Sequence, residues 1–575
     1  MLKQWGFLRP DRWAVVLVLL LTFGQSMSGL YLPNLMSKIV DTGVLTGDIH
    51  YILRMGALML LITALGGAAS VGASWYAARA MSGFSLRLRE RLFAHVEGFT
   101  LREFDHIGTS SLIVRTTNDV MQVQQLVNMM LRMMVMAPLT AIGGIILAVA
   151  LDAKLSLVIV VAIPVLGLAI YAVMGRGLGL FRLIQEKIDR LNRVLRENLT
   201  GVRVIRAFNR TQSEADRFDV ANRDVTDTAV EVFQLMAAVG PVIGLVMNLS
   251  TIAVVWFGGL QINAGHLQIG QLMAFIQYLT QIMFAVMMLS MMSFMIPRGE
   301  ASAKRINEVL AMAPEISEPE RPAHLPAGPL AIAFDHVTFR YPGAEEPALS
   351  DITFTAEAGQ VTAIIGGTGA GKSTLLNLIL RFYDVAAGTV QVGGVDVRSL
   401  PQAELRQRVG YVPQRAVLFG GSIADNVRYG ALQAPEDRVR GALETAQAVE
   451  FVDAMEGGVA AEIQQAGANL SGGQKQRLSI ARALARRPDI YLFDDSFSAL
   501  DFKTDAQLRA ALRREVAQAT VLIVAQRVSS IMDADQIVVI DDGRVAAVGT
   551  HARLLDTSPV YQEIVASQLT PGEIA

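Results

Sequence analysis

Cysteine is absent from all 575 residues, which excludes disulfides, thiolate metal ligands and a cysteine nucleophile. Its absence leaves the compartment open, because reducing and oxidising environments both tolerate it. A basic excess is missing too. The net charge of -2 argues against a nucleic-acid partner, which would demand a positive surface. Charge of either sign is scarce at 18%, while hydrophobic residues reach 52%, a balance skewed towards a membrane protein. The scarcity is uneven. Long uncharged runs fill the first 300 residues and charge spreads more evenly afterwards. At this length two or more structural units are expected.

Six windows contain no Asp, Glu, Lys or Arg: Trp13–Met36, Met55–Ala78, Met133–Leu151, Leu155–Gly175, Gln234–Ile262 and Gly270–Pro297. Each passes the roughly 18 apolar residues that a helix needs to cross a bilayer. Lys3, Arg9 and Arg12 before the first window, with Ser26-Met27-Ser28 inside it, imitate a signal peptide. The apolar run continues to Met36, so a retained span is the better reading. The connections Ser82–Arg132 and Arg176–Phe233 are long and rich in arginine, whereas Asp41–Arg54, Asp152–Lys154 and Asn263–Ile269 are short and poor in positive charge. The bias of basic residues therefore puts the long connections and both termini in the cytoplasm, and the protein in the inner (plasma) membrane.

Within Phe181–Phe208, Leu183, Ile188, Leu191, Val194, Leu195, Leu199, Val202 and Ile205 recur near helical spacing, so the helices should extend below the membrane. Short docking helices are expected near the turns Phe104–Gly108 and Asn209–Glu214. Five prolines then punctuate Ala311–Leu330 and predict an extended tether. Beyond it short β-rich runs (Ala331–Arg340, Val361–Ile365, Ile490–Phe493, Val521–Ala525, Gln536–Ile540) alternate with helical segments, and Asp542-Gly543 signals a hairpin. The expected fold is multi-domain. Residues 1–310 form an all-α six-helix transmembrane domain, 311–329 a proline-rich linker, and 330–575 an α/β domain around a buried sheet.

After the strand Val361–Ile365 stands Gly366-Gly367-Thr368-Gly369-Ala370-Gly371-Lys372-Ser373, followed by a helical run from Thr374 to Arg381. This is the phosphate loop G-x-x-x-x-G-K-S in its strand–loop–helix setting. Its glycines let backbone N–H groups face phosphate oxygens at a helix N-terminus. Lys372 should reach the β- and γ-phosphates and Ser373 should bind Mg²⁺. Ile490–Asp495 reads as a buried strand delivering Asp494 and Asp495 to the ligand edge of the sheet, where Asp494 can hold the Mg²⁺ shell.

Between these motifs, Leu470-Ser471-Gly472-Gly473-Gln474-Lys475-Gln476-Arg477 resembles the signature of ABC ATPases. Tyr341 resembles the aromatic that stacks on adenine, Gln414 in Tyr411–Gln414 the Mg²⁺-sensing glutamine, and Ser498–Asp501 the D-loop. Glu197–Val202 resembles the exporter branch, so the match covers essentially the whole chain. The resemblance implies ATP and Mg²⁺ as cofactors. It also implies a dimer in which the phosphate loop of one chain and Ser471, Gly472, Gly473 and Gln474 of the other sandwich each ATP.

Two positions depart from the pattern. Asp495 stands where the family usually carries the catalytic Glu, and Gln526 where it carries the switch His. Both changes blunt hydrolysis while sparing phosphate binding. They resemble the degenerate half of heterodimeric bacterial multidrug exporters, whose partner chain would carry Glu and His. Homodimeric lipid export with slow hydrolysis, siderophore import and an ATP-gated channel are the alternatives on this fold. For cargo the sequence offers Met129, Met130, Met133, Met134, Met283, Met287, Met288, Met291, Met292 and Met295, a set suited to varied apolar ligands. Gln277, Tyr278, Gln281, Asn248 and Ser250 are candidates to face a cavity. No charge lies in the windows, so hydrophobic or amphiphilic compounds in the lipid bilayer are the expected substrates.

Overall fold

A computed structural model describes residues 2–568 apart from 517; Met1, Ala517 and residues 569–575, which the expected domain bounds include, lie outside the described residues. The chain divides into two compact units. One comprises Met1–Glu97 and Thr109–Met312, the other Gly98–Gly108 and Ala313–Ala575.

The first unit is helical. Its elements are α1 (Arg12–Lys38), α2 (Ile49–Glu97), α4 (Thr109–Val114), α5 (Val120–Leu151), α6 (Leu157–Thr200), α7 (Val202–Ala207), α8 (Thr211–Asn263) and α9 (Ile269–Ala311), while α3 (Leu101–Ile107) belongs to the second unit. Each of the six uncharged windows falls inside one long helix, save Leu155 and Ser156 just before α6, and among the described residues six helices are long and apolar enough to span a membrane. In hydrocarbon every backbone N–H and C=O must be satisfied within the segment, which is why these windows are helices. α2, α6, α8 and α9 run for 49, 44, 53 and 43 residues. About 20 residues cover the 30 Å hydrocarbon core, so all four continue far beyond it. The main packing pairs are α1 with α2, α5 with α9, and α6 with α8.

The run Phe181–Phe208 is not one helix. It breaks at Gly201 (φ -88°, ψ 6°), and the short helix is α7, just before the expected Asn209–Glu214. Asn209 takes φ 52° in the following turn, a left-handed conformation that Asn tolerates and that ends a helix.

Outside the windows, α5 is fastened to α9 by a buried carboxylate. Asp119 closes a π-helical turn, Arg115–Asp119, and is fully buried. It accepts hydrogen bonds from Ser302 Oγ (2.9 Å), Arg305 Nε (2.8 Å) and Arg305 Nη2 (2.5 Å). The Arg115 guanidinium donates to the Arg305 carbonyl at 2.8 Å.

The second unit is α/β. A six-stranded sheet has the order β12-β11-β3-β10-β9-β6 and a four-stranded antiparallel sheet the order β2-β1-β4-β5. Their strands are β1 (Ile332–Phe339), β2 (Leu349–Ala356), β3 (Val361–Gly366), β4 (Ala387–Val392), β5 (Val395–Asp396), β6 (Val409–Val412), β9 (Ile490–Asp494), β10 (Thr520–Val524), β11 (Gln536–Asp541) and β12 (Arg544–Gly549); β7 (Gly421–Ser422) pairs with β8 (Glu462–Ile463). β11, β3, β10, β9 and β6 are parallel. Both faces of this sheet are covered: Ala363, Tyr491, Phe493 and Ile523 pack in one core, and Ile364, Leu492, Leu522 and Val524 in the other. Successive residues of a strand point to opposite faces, so burial on both sides explains its unbroken apolar runs. Asp542 (φ 42°) and Gly543 (φ 71°) make the β11–β12 hairpin turn.

Arg305→Ala should lower the unfolding midpoint of the membrane unit by the equivalent of about 3–5 kcal/mol, because it strands the buried Asp119 carboxylate. Denaturation of the protein in micelles checks this, and Arg305→Lys should recover only part of the loss, since one ammonium cannot replace a two-pronged guanidinium.

Candidate functional site

The parallel register brings four loops to one edge of the sheet. β3, β10, β9 and β6 are consecutive neighbours, so the segments after Gly366, Val524, Asp494 and Val412 all leave from their carboxyl ends. Ligands of open α/β sheets bind at that edge.

The phosphate loop runs from β3 into α10 (Lys372–Ile379). Two of its glycines are required by geometry. A Cβ on Gly366 would lie 2.0 Å from the Ile540 carbonyl oxygen, and Gly371 combines φ 92° with a Cβ position 2.8 Å from the Ala348 oxygen. The backbone of Gly366–Gly371 thereby turns tightly into the helix N-terminus, an arrangement that suits a phosphate. Lys372 Nζ donates to the carbonyls of Gly366 (2.9 Å) and Gly367 (2.6 Å). Burial pushes its ammonium pKa down, against the opposing pull of Asp495 and Asp494.

Ser373 Oγ donates to Asp494 Oδ1 at 2.7 Å, and Gln414 Nε2 to Asp495 Oδ2 at 3.3 Å. Asp495 has φ 44°, its N–H bonds the Val524 carbonyl at 2.9 Å, and its own carbonyl accepts from Ser498 Oγ at 2.9 Å. Burial raises both carboxyl pKa values; hydrogen bonds from Ser373 to Asp494, and from Ser498 and Gln414 to Asp495, oppose it. A hydroxyl, a side-chain amide oxygen and undercompensated carboxylates are a hard, all-oxygen donor set, the kind Mg²⁺ prefers. Among the described residues no cluster of three or more His, Cys, Asp or Glu could hold a metal.

Tyr341 follows β1. Its hydroxyl shares a 3.0 Å hydrogen bond with Thr374 Oγ1, and its ring stands edge-on to Phe339 and Tyr383 at 4.9 and 5.4 Å. Thr368, Gly369 and Ala370 complete the loop. Further helices of this unit are α11 (Gln402–Gln407), α12 (Ile423–Arg428), α13 (Glu436–Thr445), α14 (Val449–Asp453), α15 (Gly472–Arg486) and α16 (Phe502–Glu515). Ser471 caps α15: its Oγ accepts from the Gln474 N–H (3.3 Å), and Gln474 Oε1 accepts from the Ser471 N–H (2.8 Å). The structure thus groups Lys372, Ser373, Gln414, Asp494 and Asp495. It does not bring Ser471–Gln474 to the phosphate loop; among the described residues none of their side-chain hydrogen bonds reaches it. Gly473 lies instead against Ala499 and Leu500.

Comparison with known proteins settles the family. Residues 15–286 match the family model of the ABC transporter transmembrane region, and residues 349–498 match that described as ABC transporter. An uncharacterised ABC transporter ATP-binding protein of Mycobacterium tuberculosis is 43% identical over 98% of this chain and 97% of its own length. The chain belongs to the ABC transporters. An ATP-dependent lipid A-core flippase of Chromobacterium violaceum is 31% identical over 97% of this chain and 95% of its own. The solved structure of a bacterial Atm1-family ABC exporter with ATP bound matches at a TM-score of 0.80, with 27% identity over 98% of this chain and 99% of that one. Six membrane helices followed by an ABC ATPase domain make this the exporter type of fold.

Motif reading missed some residues of this ABC transporter's site. Gln568 clamps the switch loop with both ends of its amide. Its Nε2 donates to the Gln526 carbonyl (2.8 Å), and its Oε1 accepts from the Val528 N–H (2.9 Å). Gln526 itself is exposed. Tyr383 OH donates to Asp105 Oδ2 on α3 at 3.3 Å, and Glu315 pairs with Arg102 while its N–H donates to Glu103 Oε1 at 3.2 Å. These contacts join residues far apart in sequence, and no local pattern announces them.

Lys372→Ala should weaken ATP binding by about 10–100-fold, the worth of a charge-assisted contact, in equilibrium titration of the full chain. Gln568→Ala frees two backbone groups and should speed amide exchange at Val528 about tenfold, read by hydrogen–deuterium exchange.

Proposed function

We propose that this chain is one half of an ATP-driven exporter of hydrophobic or amphiphilic compounds, working beside a second ABC half-transporter. Its own site holds Mg-ATP but turns it over slowly, and its signature completes the active site of the partner. The observation that carries this reading is the Asp495–Gln526 pair in an otherwise complete binding site. Asp495 is one methylene shorter than Glu, and its carboxylate is engaged by Gln414 at 3.3 Å. A displacement of about 1 Å from the attacking water can cost on the order of 100-fold in rate. Gln526 donates a hydrogen bond but brings no cationic charge to the developing phosphate.

In the proposed roles, Tyr341 stacks on adenine. Gly366, Gly367, Thr368, Gly369, Ala370, Gly371, Lys372 and Thr374 hold the phosphates. Ser373, Gln414 and Asp494 hold Mg²⁺, while Asp495 and Gln526 stand at the blunted reaction centre. Ser471, Gly472, Gly473 and Gln474 face the nucleotide of the other chain. A second chain is supported by the α6–α8 hairpin beyond the uncharged windows, where Phe181, Leu195, Leu199, Val204, Phe208 and Phe233 are exposed. Apolar surface on that scale outside a membrane is normally covered. The basic connections support a cytoplasmic ATPase domain in the inner (plasma) membrane.

The substrate class is supported by relatives. A protein named as a fatty acid ABC transporter in Mycobacterium bovis is 34% identical over 83% of this chain and 75% of its own length. The lipid A-core flippase matches nearly end to end. That flippase also favours a second reading, a lipid-exporting homodimer with slow hydrolysis. Multidrug cargo rests on the methionine-rich helices alone.

The chain should co-purify from native membranes with a second half-transporter carrying Glu and His at the positions of Asp495 and Gln526. With that partner's glutamate disabled, Asp495→Glu combined with Gln526→His should restore ATPase activity by about 100-fold. Activity that stays near zero, or a lone homodimer in the membrane, would sink the heterodimer reading.

A further inference from the structure

The polar residues expected at a cavity separate into two kinds. Tyr278 is buried and spends its hydroxyl on the Leu30 carbonyl at 3.0 Å, and Ser250 bonds the Val246 carbonyl of its own helix at 2.7 Å. Both serve packing. Gln277 and Asn248 are exposed. Gln281 differs: it lines a cavity of about 250 Å³ between α1, α5 and α9, with Gln25 and Thr140 as further polar walls and Met136, Phe284 and Met288 as apolar ones. The methionines divide likewise. Met283 and Met292 are buried, Met295 is exposed, and the side chain of Met291 lies outside the described residues.

The orientation of Gln281 follows from a proline. Pro33 has no N–H, so the Gly29 carbonyl one turn earlier in α1 loses its helical donor. Gln281 Nε2 supplies that bond at 3.2 Å. An unsatisfied carbonyl in hydrocarbon is costly, so the amide is held in place, and its Oε1 and second N–H remain for the cavity. Gln25 has no side-chain hydrogen bond among the described residues and brings a free donor and acceptor from α1. Gln25, Thr140 and Gln281 each stand near the middle of an uncharged window, the depth at which transporters bind cargo.

We propose that this cavity is a subsite for an uncharged, hydrogen-bonding headgroup, such as a hydroxyl, amide or sugar, carried on an apolar body. No lining residue is charged, and none of the windows of α1, α5 and α9 holds a charge. A carboxylate, phosphate or ammonium would find no counter-charge from this chain, and an unpaired charge at that depth is heavily penalised. Complementary amides satisfy a neutral group that both donates and accepts. The volume lies below the roughly 300 Å³ at which pockets for whole drug-sized ligands begin, so the cavity takes a headgroup while the tail stays outside it. Met136, Met288 and Phe284 supply adaptable apolar contact where head meets body. The inference rests on the export reading for the fate of the ligand, while binding stands apart from ATP turnover.

The test uses the full chain in lipid nanodiscs without nucleotide, together with any partner that co-purifies. Three probes share a twelve-carbon chain: monolauroylglycerol, laurate and dodecyltrimethylammonium. The neutral probe should bind at least about tenfold more tightly than either ion, and Gln25→Leu should cut its affinity about fivefold, the worth of one hydrogen bond, leaving the ions unchanged. Gln25→Glu at pH 8 should raise affinity for the ammonium above that for the neutral probe, which a purely structural role would not produce. An unchanged unfolding midpoint of the membrane unit in micelles establishes that each variant is folded, and Thr140→Val replaces either variant that loses it. Equal binding of the three probes, tightest binding of laurate, or a ranking indifferent to these substitutions overturns the proposal. A failed search for a heterodimeric partner leaves this measurement intact, and failure here leaves the nucleotide-site reading intact.

Discussion

The backbone ladder that joins β3, β10, β9 and β6 in parallel is the constraint on which the nucleotide chemistry depends. Parallel pairing aligns the ends of neighbouring strands, so four loops spread along the chain between Gly366 and Val524 emerge side by side. The strands can be parallel because helices cover both faces of the sheet, and they can be covered because every residue from Ala363 to Ile365 is apolar and buried. Alternation between the two cores fixes the register, since a slip by one residue would exchange the faces. The position of Asp494 relative to Ser373, at 2.7 Å, is thus set by the packing of the strands that lead into the two motifs.

Charge at that edge is crowded. Lys372 lies buried beside two carboxyl groups, and burial disfavours the ionised form of all three. The folded site therefore holds one buried cation and two buried carboxyl groups, each short of full electrostatic compensation.

Much of this was legible in the sequence wherever function is local. Gly366–Ser373 can be read because backbone approach and helix start are encoded in eight consecutive residues, and the six spans because a bilayer punishes any charge within them. The antiparallel hairpin at Asp542-Gly543 was readable for the same reason. What escaped were side chains acting on distant backbone. Gln568 gave no sign that it would grip the loop at Gln526, and Tyr383 none that it would bond Asp105. The break at Gly201 was hidden because apolar spacing on either side continues across it. Gln281 was a partial case: its polarity inside an uncharged window was visible, but its assignment to the orphaned carbonyl of Gly29 needed the relative placement of α1 and α9.

The second unit is discontinuous in the chain. α3 is bracketed by α2 and α4 of the first unit, yet it belongs to the ATPase unit, where Arg102, Glu103 and Asp105 meet Glu315 and Tyr383. A polypeptide beginning near Ala313 would therefore be an amputated module, with Glu315 and the Tyr383 hydroxyl deprived of their counterparts. Gene shuffling that swapped ATPase cassettes at the proline-rich tether would carry off the sheet and leave behind the eleven residues Gly98–Gly108 that complete it. Such exchanges would have to be matched at α3, which ties the inheritance of this short helix to a domain encoded two hundred codons downstream.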